Sequence, residues 1–452
     1  MTPGSLVDEL KASLNGAEIV TPESANYAQS ISRWSDTAVK KASIVVYPRT
    51  TAEVSQTVKL AVAHATPLVV AGGQHSTGGD SSIGAPGLVI DLARMRAVAV
   101  DPAARTITAQ GGCIWRDVDE AAGAHGLATV GGTVNHTGIG GLTLGGGYGF
   151  LSGLHGLAVD NLLAVEAVLA DGAVVAASDA LNPDLFWAVR GAGAAFAVVT
   201  EFVFRGHALE RPDVFFGTLA WPRAFAGQLV AFANGVAEDG GDARVVVHVN
   251  VMAPPEMGGQ VVVGATVFCA AAEEEARAVL RPLLESDPKP LMDTTGVMPY
   301  EKVNGVLAAI TPRGGRKSIK GATFGRPLQL ETFERAMQEL EEFVKKVPAA
   351  ARSLMAFEFM NTAKCAILSM WEGEENDKRV RGWARKIAAI VSDPGKEDEG
   401  RENFEYVNYD GTDSGPEKVY GPNYKRLIEL KAKYDPENVF NKNIEIKPAG
   451  QS

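Results

Sequence analysis

The chain has 452 residues, which is long for a single hydrophobic core and indicates two domains. Hydrophobic residues make up 46% of it and charged residues 21%, as in ordinary globular proteins. The net charge of −11 at pH 7 argues against nucleic acid or an anionic membrane surface as a partner.

No apolar run is long enough to cross a membrane, and the first residues lack the charged start and apolar stretch of a signal peptide. Cys113, Cys269 and Cys365 are far apart and odd in number, so they form neither a metal-binding spacing nor a disulfide framework. We therefore expect a cytoplasmic protein with no metal site and no membrane partner.

The first part of the chain predicts a βαβ unit that ends in a glycine-rich loop. Residues 43–48 form a predicted strand, 51–65 a helix with Thr51 as its cap, and 67–70 a second strand. The loop from Ala71 to Gly79 has the sequence AGGQHSTGG and presents His75. Glycine lets backbone N–H groups approach an anionic ligand because it has no Cβ.

A second glycine-rich loop runs from Gly131 to Gly149 and contains the sequence GIGGLTLGGGYG. Beyond it, Asp171-Gly172 predicts a tight turn between two strands, and Asn182-Pro183 predicts the start of a short helix. The other elements predicted in this part are strands at 87–92, 98–100 and 196–204 and a helix at 115–125.

From Arg211 onward, β-branched runs alternate with amphipathic helices. Residues 245–251 and 261–267 predict strands, and a helix near residues 333–344 places its apolar side chains on one face. The pattern predicts an antiparallel sheet covered on one side by helices, and hence an α+β fold class. The acidic stretch 394–402 is typical of a solvated loop, and 422–434 predicts a helix.

Neither glycine loop fits the common nucleotide-binding motifs. G-x-G-x-x-G does not occur between a strand and a helix with an acidic residue about 20 positions later. No glycine stretch precedes Lys-Ser or Lys-Thr, which excludes a P-loop. Glycine-rich turns alone remain a weak indication of phosphate binding.

Four segments in a fixed order are more specific. They are the two loops, the second with its continuation GLAVDN up to Asn161, the segment FWAVRGAG at 186–193, and residues 424–440. Together they resemble the berberine bridge enzyme-like FAD-linked oxidases of the vanillyl-alcohol oxidase superfamily, over about residues 40–205 and 420–446. The resemblance implies a PCMH-type FAD-binding domain of two subdomains, formed by residues 1–207 and 415–452. It also implies a substrate-binding domain, residues 208–414, whose helix-covered antiparallel sheet lies over the isoalloxazine ring.

The same resemblance implies a covalent bond between the ring of His75 and the 8α-methyl group of FAD. The alternative is a polar loop histidine that only hydrogen-bonds the backbone. Some relatives add a cysteine bond from the second loop, but Val134 stands at the matching position, so we expect one bond, through His75 only. The arginine usual before the first glycines is Ala71 here, so backbone N–H groups are expected to bind the phosphates without that cation. The other implied cofactor contacts are Gly72, Gly73, Gln74, Ser76, Gly131, Val134, His136, Gly140, Gly141, Asn161, Val199 and Asn443.

The catalytic residues are also implied by the resemblance. Tyr406-Val407-Asn408 resembles the family's Tyr-x-Asn motif, in which the tyrosine removes a proton from substrate O–H or N–H while a hydride moves to flavin N5. Because tyrosine has a pKa of about 10, Tyr406 needs a cationic or hydrogen-bonding neighbour to act near neutrality. The alternative is that Tyr406 and Tyr409 only form an aromatic wall over the flavin.

Glu358 and Trp371 match an acidic and an aromatic residue of the family pocket. By period-two alternation, Glu358 points away from Phe357 and Phe359. It therefore lies either at a solvent-facing rim or in the pocket, where it binds a substrate amine or shares the role of base with Tyr406. For Trp371 the alternative is ordinary core packing.

The implied function is oxidation of a small organic molecule at a C–OH or C–N bond, with O₂ as acceptor and H₂O₂ as product. Oxidative cyclisation of a secondary metabolite is a related outcome of the same hydride removal. An FAD-dependent dehydrogenase that excludes O₂ and a non-redox cyclase with structural FAD remain as alternatives. The sequence leaves the substrate and the oligomeric state open.

Overall fold

The computed structural model describes residues 3–238, 241–360, 363–392, 405–410, 415–442 and 444–450. Its helices and sheets confirm the predicted α+β class. The strands are β1 Glu18–Val20, β2 Ile44–Tyr47, β3 Leu68–Ala71, β4 Leu88–Asp91, β5 Val98–Asp101, β6 Thr106–Gln110, β7 Leu127–Ala128, β8 Leu162–Val168, β9 Val174–Ser178, β10 Val198–Arg205, β11 His207–Ala208, β12 Asp213–Pro222, β13 Val245–Met252, β14 Val262–Cys269, β15 Met292–Asp293, β16 Gly296–Pro299, β17 Arg316–Thr323, β18 Leu354–Phe359 and β19 Ala363–Trp371.

The α-helices are distributed along the whole chain, and none of those described is long and apolar enough to cross a bilayer. They are α1 Pro3–Ser13, α2 Tyr27–Ser30, α3 Thr51–Ala63, α4 Trp115–Gly123, α5 Ile139–Leu144, α6 Ser152–His155, α7 Pro183–Ala192, α8 Ala226–Val236, α9 Glu273–Leu284, α10 Tyr300–Ala308, α11 Leu330–Lys346, α12 Asp377–Val391, α13 Val407–Asp410, α14 Pro416–Tyr420 and α15 Tyr424–Tyr434.

A four-stranded sheet contains the predicted βαβ unit. Its strand order is β1-β2-β4-β3, in which β2, β4 and β3 run parallel and β1 is antiparallel to β2. The N-cap of helix α3 is Thr50, one residue before the predicted cap Thr51, because the side chain of Thr50 accepts the N–H of Glu53. The first glycine loop leaves this sheet directly after β3.

A five-stranded antiparallel sheet follows, with the order β5-β6-β10-β8-β9. The predicted turn at Asp171-Gly172 joins β8 to β9, and the positive φ of 79° at Gly172 is one that glycine adopts without strain. The second glycine loop lies between β7, which pairs with β11 in a separate two-stranded sheet, and β8 of the five-stranded sheet.

The largest sheet is antiparallel, with the order β15-β12-β14-β13-β18-β19-β17, and β16 pairs with the edge of β12. One face packs against α8, α9, α11 and α12, and buries the apolar stripe of α11 that includes Phe333 and Leu340. The other face joins the core of the preceding sheets, where Phe268 stacks on Phe150 with ring centroids 5.3 Å apart. This second face is therefore the one that meets the glycine loops.

The C-terminal helix α15 packs on α7 and returns the chain to the first part of the fold. Lys431 on α15 is fully buried, and its ammonium group donates to the carboxylate of Asp435 at 2.7 Å and to the carbonyl of Ala195 at 2.6 Å. Asp435 also accepts the backbone N–H of Val439 and of Phe440. The pair thus fixes the C-terminal segment to the N-terminal half, while the domain boundaries at 207/208 and 414/415 stay predictions. The predicted loop at 394–402 lies outside the described residues.

Candidate active site

The two glycine-rich loops pack backbone against backbone. A Cβ on Gly73 would lie 2.0 Å from the backbone nitrogen of Gly138, and one on Gly138 would lie 2.3 Å from that of Gly73. Neither position can accept a side chain. In contrast, a Cβ on Gly141 would meet nothing within 4 Å, so this stretch of backbone faces open space. The loops form a cradle with accessible backbone, which fits the phosphates of FAD.

Polar side chains hold the first loop in shape. Gln74 has a positive φ of 62°, and its Nε2 donates to the buried carboxylate of Asp91 at 2.6 Å. The hydroxyl of Ser76 donates to Asp80, also at 2.6 Å. The structure therefore places the side chains of Gln74 and Ser76 in contacts within the protein, where they fix the loop backbone.

His75 stands at the tip of the first loop in a closely packed environment. Its ring stacks on Trp34, with centroids 4.6 Å apart and planes 14° from parallel. Its Nε2 lies 2.6 Å from Nδ1 of His136, which the second loop presents. Burial lowers the pKa of His75 well below its ordinary value, and His136, Arg313 and Lys317 lower it further, so the ring is neutral at neutral pH.

Arg313 is a cation at this loop that the sequence analysis missed. Its guanidinium donates to the carbonyl of Gly73 at 3.1 Å and to the side-chain oxygen of Gln74 at 2.5 Å. Both acceptors belong to the protein, so the expectation that backbone N–H groups bind the phosphates without the usual arginine stays a prediction. Nothing in the sequence near Arg313 signals a partner 240 residues earlier in the chain.

The remaining predicted cofactor residues fall into two groups. Gly131, Gly140, Val134 and Val199 lie in or beside the second loop; a Cβ on Gly131 would meet the ring of Trp115 at 2.5 Å. Asn161 differs from its prediction, because its Nδ2 donates to the carbonyls of His155 and Leu157 and its Oδ1 lies 2.6 Å from Nε2 of His207. Its side chain therefore fixes a turn of the protein. Asn443 lies outside the described residues.

Glu358 on β18 projects from the face of the large sheet that meets the glycine loops. It is only 4% exposed, which removes the alternative of a solvent-facing carboxylate. The hydroxyl of Tyr148, at the end of the second loop, donates to its Oε2 at 2.6 Å, and that of Tyr409 donates to its Oε1 at 3.0 Å. Burial raises the pKa of Glu358 to about 7, although both hydrogen bonds act in the opposite direction.

Tyr406 and Asn408 lie against the second glycine loop. Nδ2 of Asn408 donates to the phenol oxygen of Tyr406 at 2.8 Å and to the carbonyl of Leu142 at 3.0 Å. A Cβ on Gly145 would lie 2.3 Å from Oδ1 of Asn408, so glycine is required for this approach. The ring of Tyr406 is 4.8 Å from that of Tyr148 and 5.0 Å from that of Tyr409.

The ionisation of this tyrosine cluster differs from the expectation. Burial raises the pKa of Tyr406 above its ordinary value, the hydrogen bond from Asn408 lowers it, and the carboxylate of Glu358 raises it again. The pKa values of Tyr148 and Tyr409 are raised well above 10 by burial and by Glu358. At neutral pH the three phenols are protonated, and Glu358 is the group in this cluster that titrates there.

Trp371 is not brought to this cluster. It ends β19 on the face that packs against the helices, and it is 4% exposed within that core. Its Nε1 donates to Asp377 at the start of α12 at 2.8 Å. The prediction that it lines the pocket is therefore not supported, because strand alternation puts it on the opposite face from Glu358.

His248 is a buried neighbour of Glu358 that the sequence analysis left without a role. It lies directly opposite Glu358 on β13 and is 4% exposed, with its ring stacked on Phe150. Burial lowers the pKa of His248 to about 4, so it is neutral and adds no positive charge beside the carboxylate. The sequence feature that could have drawn attention to His248 is its position within a run of valines.

Two family models match the chain. One is described as "FAD binding domain" and matches residues 42–178, and the other as "Berberine and berberine like" and matches residues 405–447. The first covers the two glycine loops, and the second covers Tyr406, Asn408 and the buried Lys431.

Known proteins resemble the chain over nearly its whole length. The FAD-linked oxidoreductase pgmH of Aspergillus terreus is 33% identical, over 98% of this chain and 96% of its own. The crystal structure of 6-hydroxy-D-nicotine oxidase from Arthrobacter nicotinovorans matches with a TM-score of 0.85 and 25% identity, over 96% of this chain and 98% of that one. A glucooligosaccharide oxidase from Acremonium strictum, whose FAD is described as 6-S-cysteinyl, 8α-N1-histidyl, has the same fold at a TM-score of 0.81 and 22% identity, over 99% of this chain and all of that one.

Proposed function

Because the chain belongs to the berberine bridge enzyme-like family of FAD-linked oxidoreductases, we propose that it oxidises a C–OH or C–N bond of a small organic molecule and passes the electrons to O₂. The observation that supports this reaction is the buried Glu358 among Tyr148, Tyr406 and Tyr409, beside the glycine cradle. Bound FAD supplies the acceptor for a hydride, so the protein has to bind it, orient the substrate and take up a proton.

The cradle of Gly72, Gly73, Gly140 and Gly141 binds the diphosphate through backbone N–H groups. His75 forms the covalent tether, since its Nε2 is engaged with His136 and its Nδ1 remains for a bond to carbon. Val134 occupies the position of the second, cysteine tether of some relatives, so the proposed linkage is a single one.

Glu358 is the better candidate for the base at neutral pH. A general base works best with a pKa near the working pH, and that of Glu358 is about 7 whereas that of Tyr406 is above its ordinary value. Tyr406 then orients the substrate by a hydrogen bond from its phenol, which Asn408 holds in place. The three aromatic rings make the site suitable for a flat or cyclic substrate.

Anaerobic flavin bleaching against a panel of amines, secondary alcohols and sugars tests the proposal. A substrate is identified by loss of the oxidised flavin absorbance, and rapid return of the colour with H₂O₂ formation in air supports an oxidase. Slow reoxidation in air identifies a dehydrogenase instead. Glu358→Gln should reduce the rate of bleaching at neutral pH by roughly 100-fold or more, while Glu274→Gln on the surface of α9 leaves it unchanged. Conversion of substrate without any bleaching contradicts a redox function.

A further inference from the structure

The environment of His75 is built from two distant parts of the chain. Trp34, which stacks on His75, is held by residues 311–317, within the predicted substrate-binding domain. This segment, here called the 311–317 loop, comprises the loop before β17 and the first two residues of that strand. The indole Nε1 of Trp34 donates to the carbonyl of Thr311 at 2.9 Å, and the backbone carbonyl of Trp34 accepts the N–H of Gly314 at 3.0 Å. The buried ammonium of Lys317 lies 4.6 Å from the centre of the Trp34 ring.

The residues next to Trp34 strengthen the same contact. The hydroxyl of Ser35 donates to the carbonyl of Lys317 at 2.7 Å, and the N–H of Asp36 donates to the carbonyl of Gly315 at 3.0 Å. Arg313 from the same loop reaches the carbonyl of Gly73, beside His75. The 311–317 loop therefore holds Trp34 by its indole and its backbone, and Arg313 ties the same loop to the backbone beside His75.

His136 completes the arrangement on the other side of His75. Its Nδ1 lies 2.6 Å from Nε2 of His75, and its own Nε2 is buried without a hydrogen-bond partner among the described residues. Burial and Arg313 lower the pKa of His136, while the nearby backbone carbonyls of Ala308 and Thr311 raise it. Burial is the largest of these effects, so the pKa of His136 lies below its ordinary value. The position of its Nδ1 against Nε2 of His75 is what suits His136 to receive a proton from that atom.

We propose that the 311–317 loop completes the site of covalent flavin attachment: it holds Trp34 against His75, and His136 accepts the Nε2 proton of His75 when Nδ1 bonds to the flavin. The inference rests on the proposed tether through His75. Trp34 and the loop are positioning elements.

The bond from Nδ1 of His75 to the 8α-carbon forms, while one C–H bond of the 8α-methyl group and the Nε2–H bond of His75 break. The two electrons reduce the isoalloxazine ring, one proton remains on that ring at N5, and the other passes to His136. Dioxygen then accepts the two electrons and becomes H₂O₂, as in the proposed turnover.

The charges around His75 favour its reactive form. The titratable groups that act on it are His136, Arg313 and Lys317, and the carboxylates of Asp91 and Asp36 act in turn on the two cations. Burial disfavours the imidazolium form most, and His136 and both cations disfavour it further, so the pKa of His75 lies well below its ordinary value. Removal of Arg313 should raise the pKa of His75 and slow attachment in mild acid.

The first experiment follows attachment in the full chain, purified from riboflavin-limited cells and supplied with FAD. Total bound flavin is measured before denaturation, and covalent flavin after it by gel fluorescence and intact mass. In His136→Gly we expect attachment roughly 100-fold slower than in the wild type, with restoration by free imidazole. His125→Gly, at an exposed histidine after α4, should attach at the wild-type rate, and His75→Gly should not attach even with imidazole.

The outcomes separate the two proposals. A wild-type chain that binds FAD without ever forming the bond contradicts the tether, and with it this inference. A wild type that attaches FAD, together with His136→Gly at the same rate, overturns the inference alone. The second variant covers a folding defect in the first. Arg313→Met should attach FAD more slowly than the wild type at pH 8, and the ratio of the two rates should grow several-fold between pH 8 and pH 5.5. Identical pH profiles for Arg313→Met and the control Arg281→Met also overturn it.

Discussion

Removal of one hydroxyl group tests the assignment of Glu358 as the base. In Tyr148→Phe the 2.6 Å hydrogen bond to Oε2 of Glu358 is lost, while the aromatic ring that packs against Tyr406 is kept. A hydrogen bond to a charged group contributes about 1.5–3 kcal/mol, or about 1–2 pKa units. Because the bond favours the carboxylate form, its loss should raise the pKa of Glu358 from about 7 to about 8–9.

The size of the effect on rate follows from the ionised fraction. At pH 7 about half of Glu358 is ionised in the wild type, and a rise of 1–2 pKa units reduces this fraction roughly 5- to 50-fold. The rate of anaerobic flavin reduction should fall by the same factor at pH 7 and return to the wild-type plateau near pH 10. Stopped-flow measurement of the rate of flavin reduction across pH, with a substrate from the panel, gives both the fall at low pH and the plateau at high pH.

The control for this variant is Tyr27→Phe, which removes a hydroxyl that donates to the carbonyl of Ala42, remote from the site. It should leave the profile unchanged. If the acidic limb of Tyr148→Phe stays at the wild-type pH, Glu358 does not set that limb. A limb that lies above pH 10 in the wild type would assign the role of base to Tyr406.

Three further predictions concern stability and cofactor binding. Since the pKa of Glu358 is raised from 4.5 to about 7, the wild-type protein loses stability as pH rises from 4.5 to 7 and this carboxyl group ionises. Glu358→Gln cannot ionise, so above pH 7 its free energy of unfolding should exceed that of the wild type by about 3 kcal/mol in denaturant titrations. Near pH 4.5 the two proteins should differ little. Lys431→Met leaves a buried carboxylate without its cation and should lower the free energy of unfolding by about 3–5 kcal/mol, whereas Lys433→Met on the exposed face should change it by less than about 1 kcal/mol. Gly73→Ala should abolish FAD binding in equilibrium titrations, because its Cβ would overlap the facing loop; Gly84→Ala, where a Cβ meets nothing within 4 Å, should bind FAD normally.

Local patterns were sufficient for part of the fold and of the site. The strands on either side of α3 and the apolar face of α11 follow from periodicity within a few residues, and the structure agrees with them. The Tyr-x-Asn motif could be recognised because Tyr406 and Asn408 are close in sequence as well as in space. A glycine loop can likewise be identified without knowledge of what packs on it.

The errors come from information that a single strand or loop does not contain. Trp371 was assigned to the pocket, but its side chain lies on the helix-covered face of the sheet. Which face a residue of β19 occupies depends on the register of that strand with β17 and β18. Trp34 and Arg313 went unnoticed because each contacts a segment more than 200 residues away. Such long-range pairs are set by the packing of whole sheets, so no local pattern predicts them.

The buried pair of Lys431 and Asp435 has a consequence for biosynthesis. Lys431 meets the carbonyl of Ala195, so this contact cannot form until the ribosome has translated more than 200 further codons. During that interval the nascent N-terminal half exposes apolar surface that α15 later covers, which makes it a substrate for chaperones. The N-terminal half is therefore expected to complete its packing only after the C-terminal segment has been synthesised.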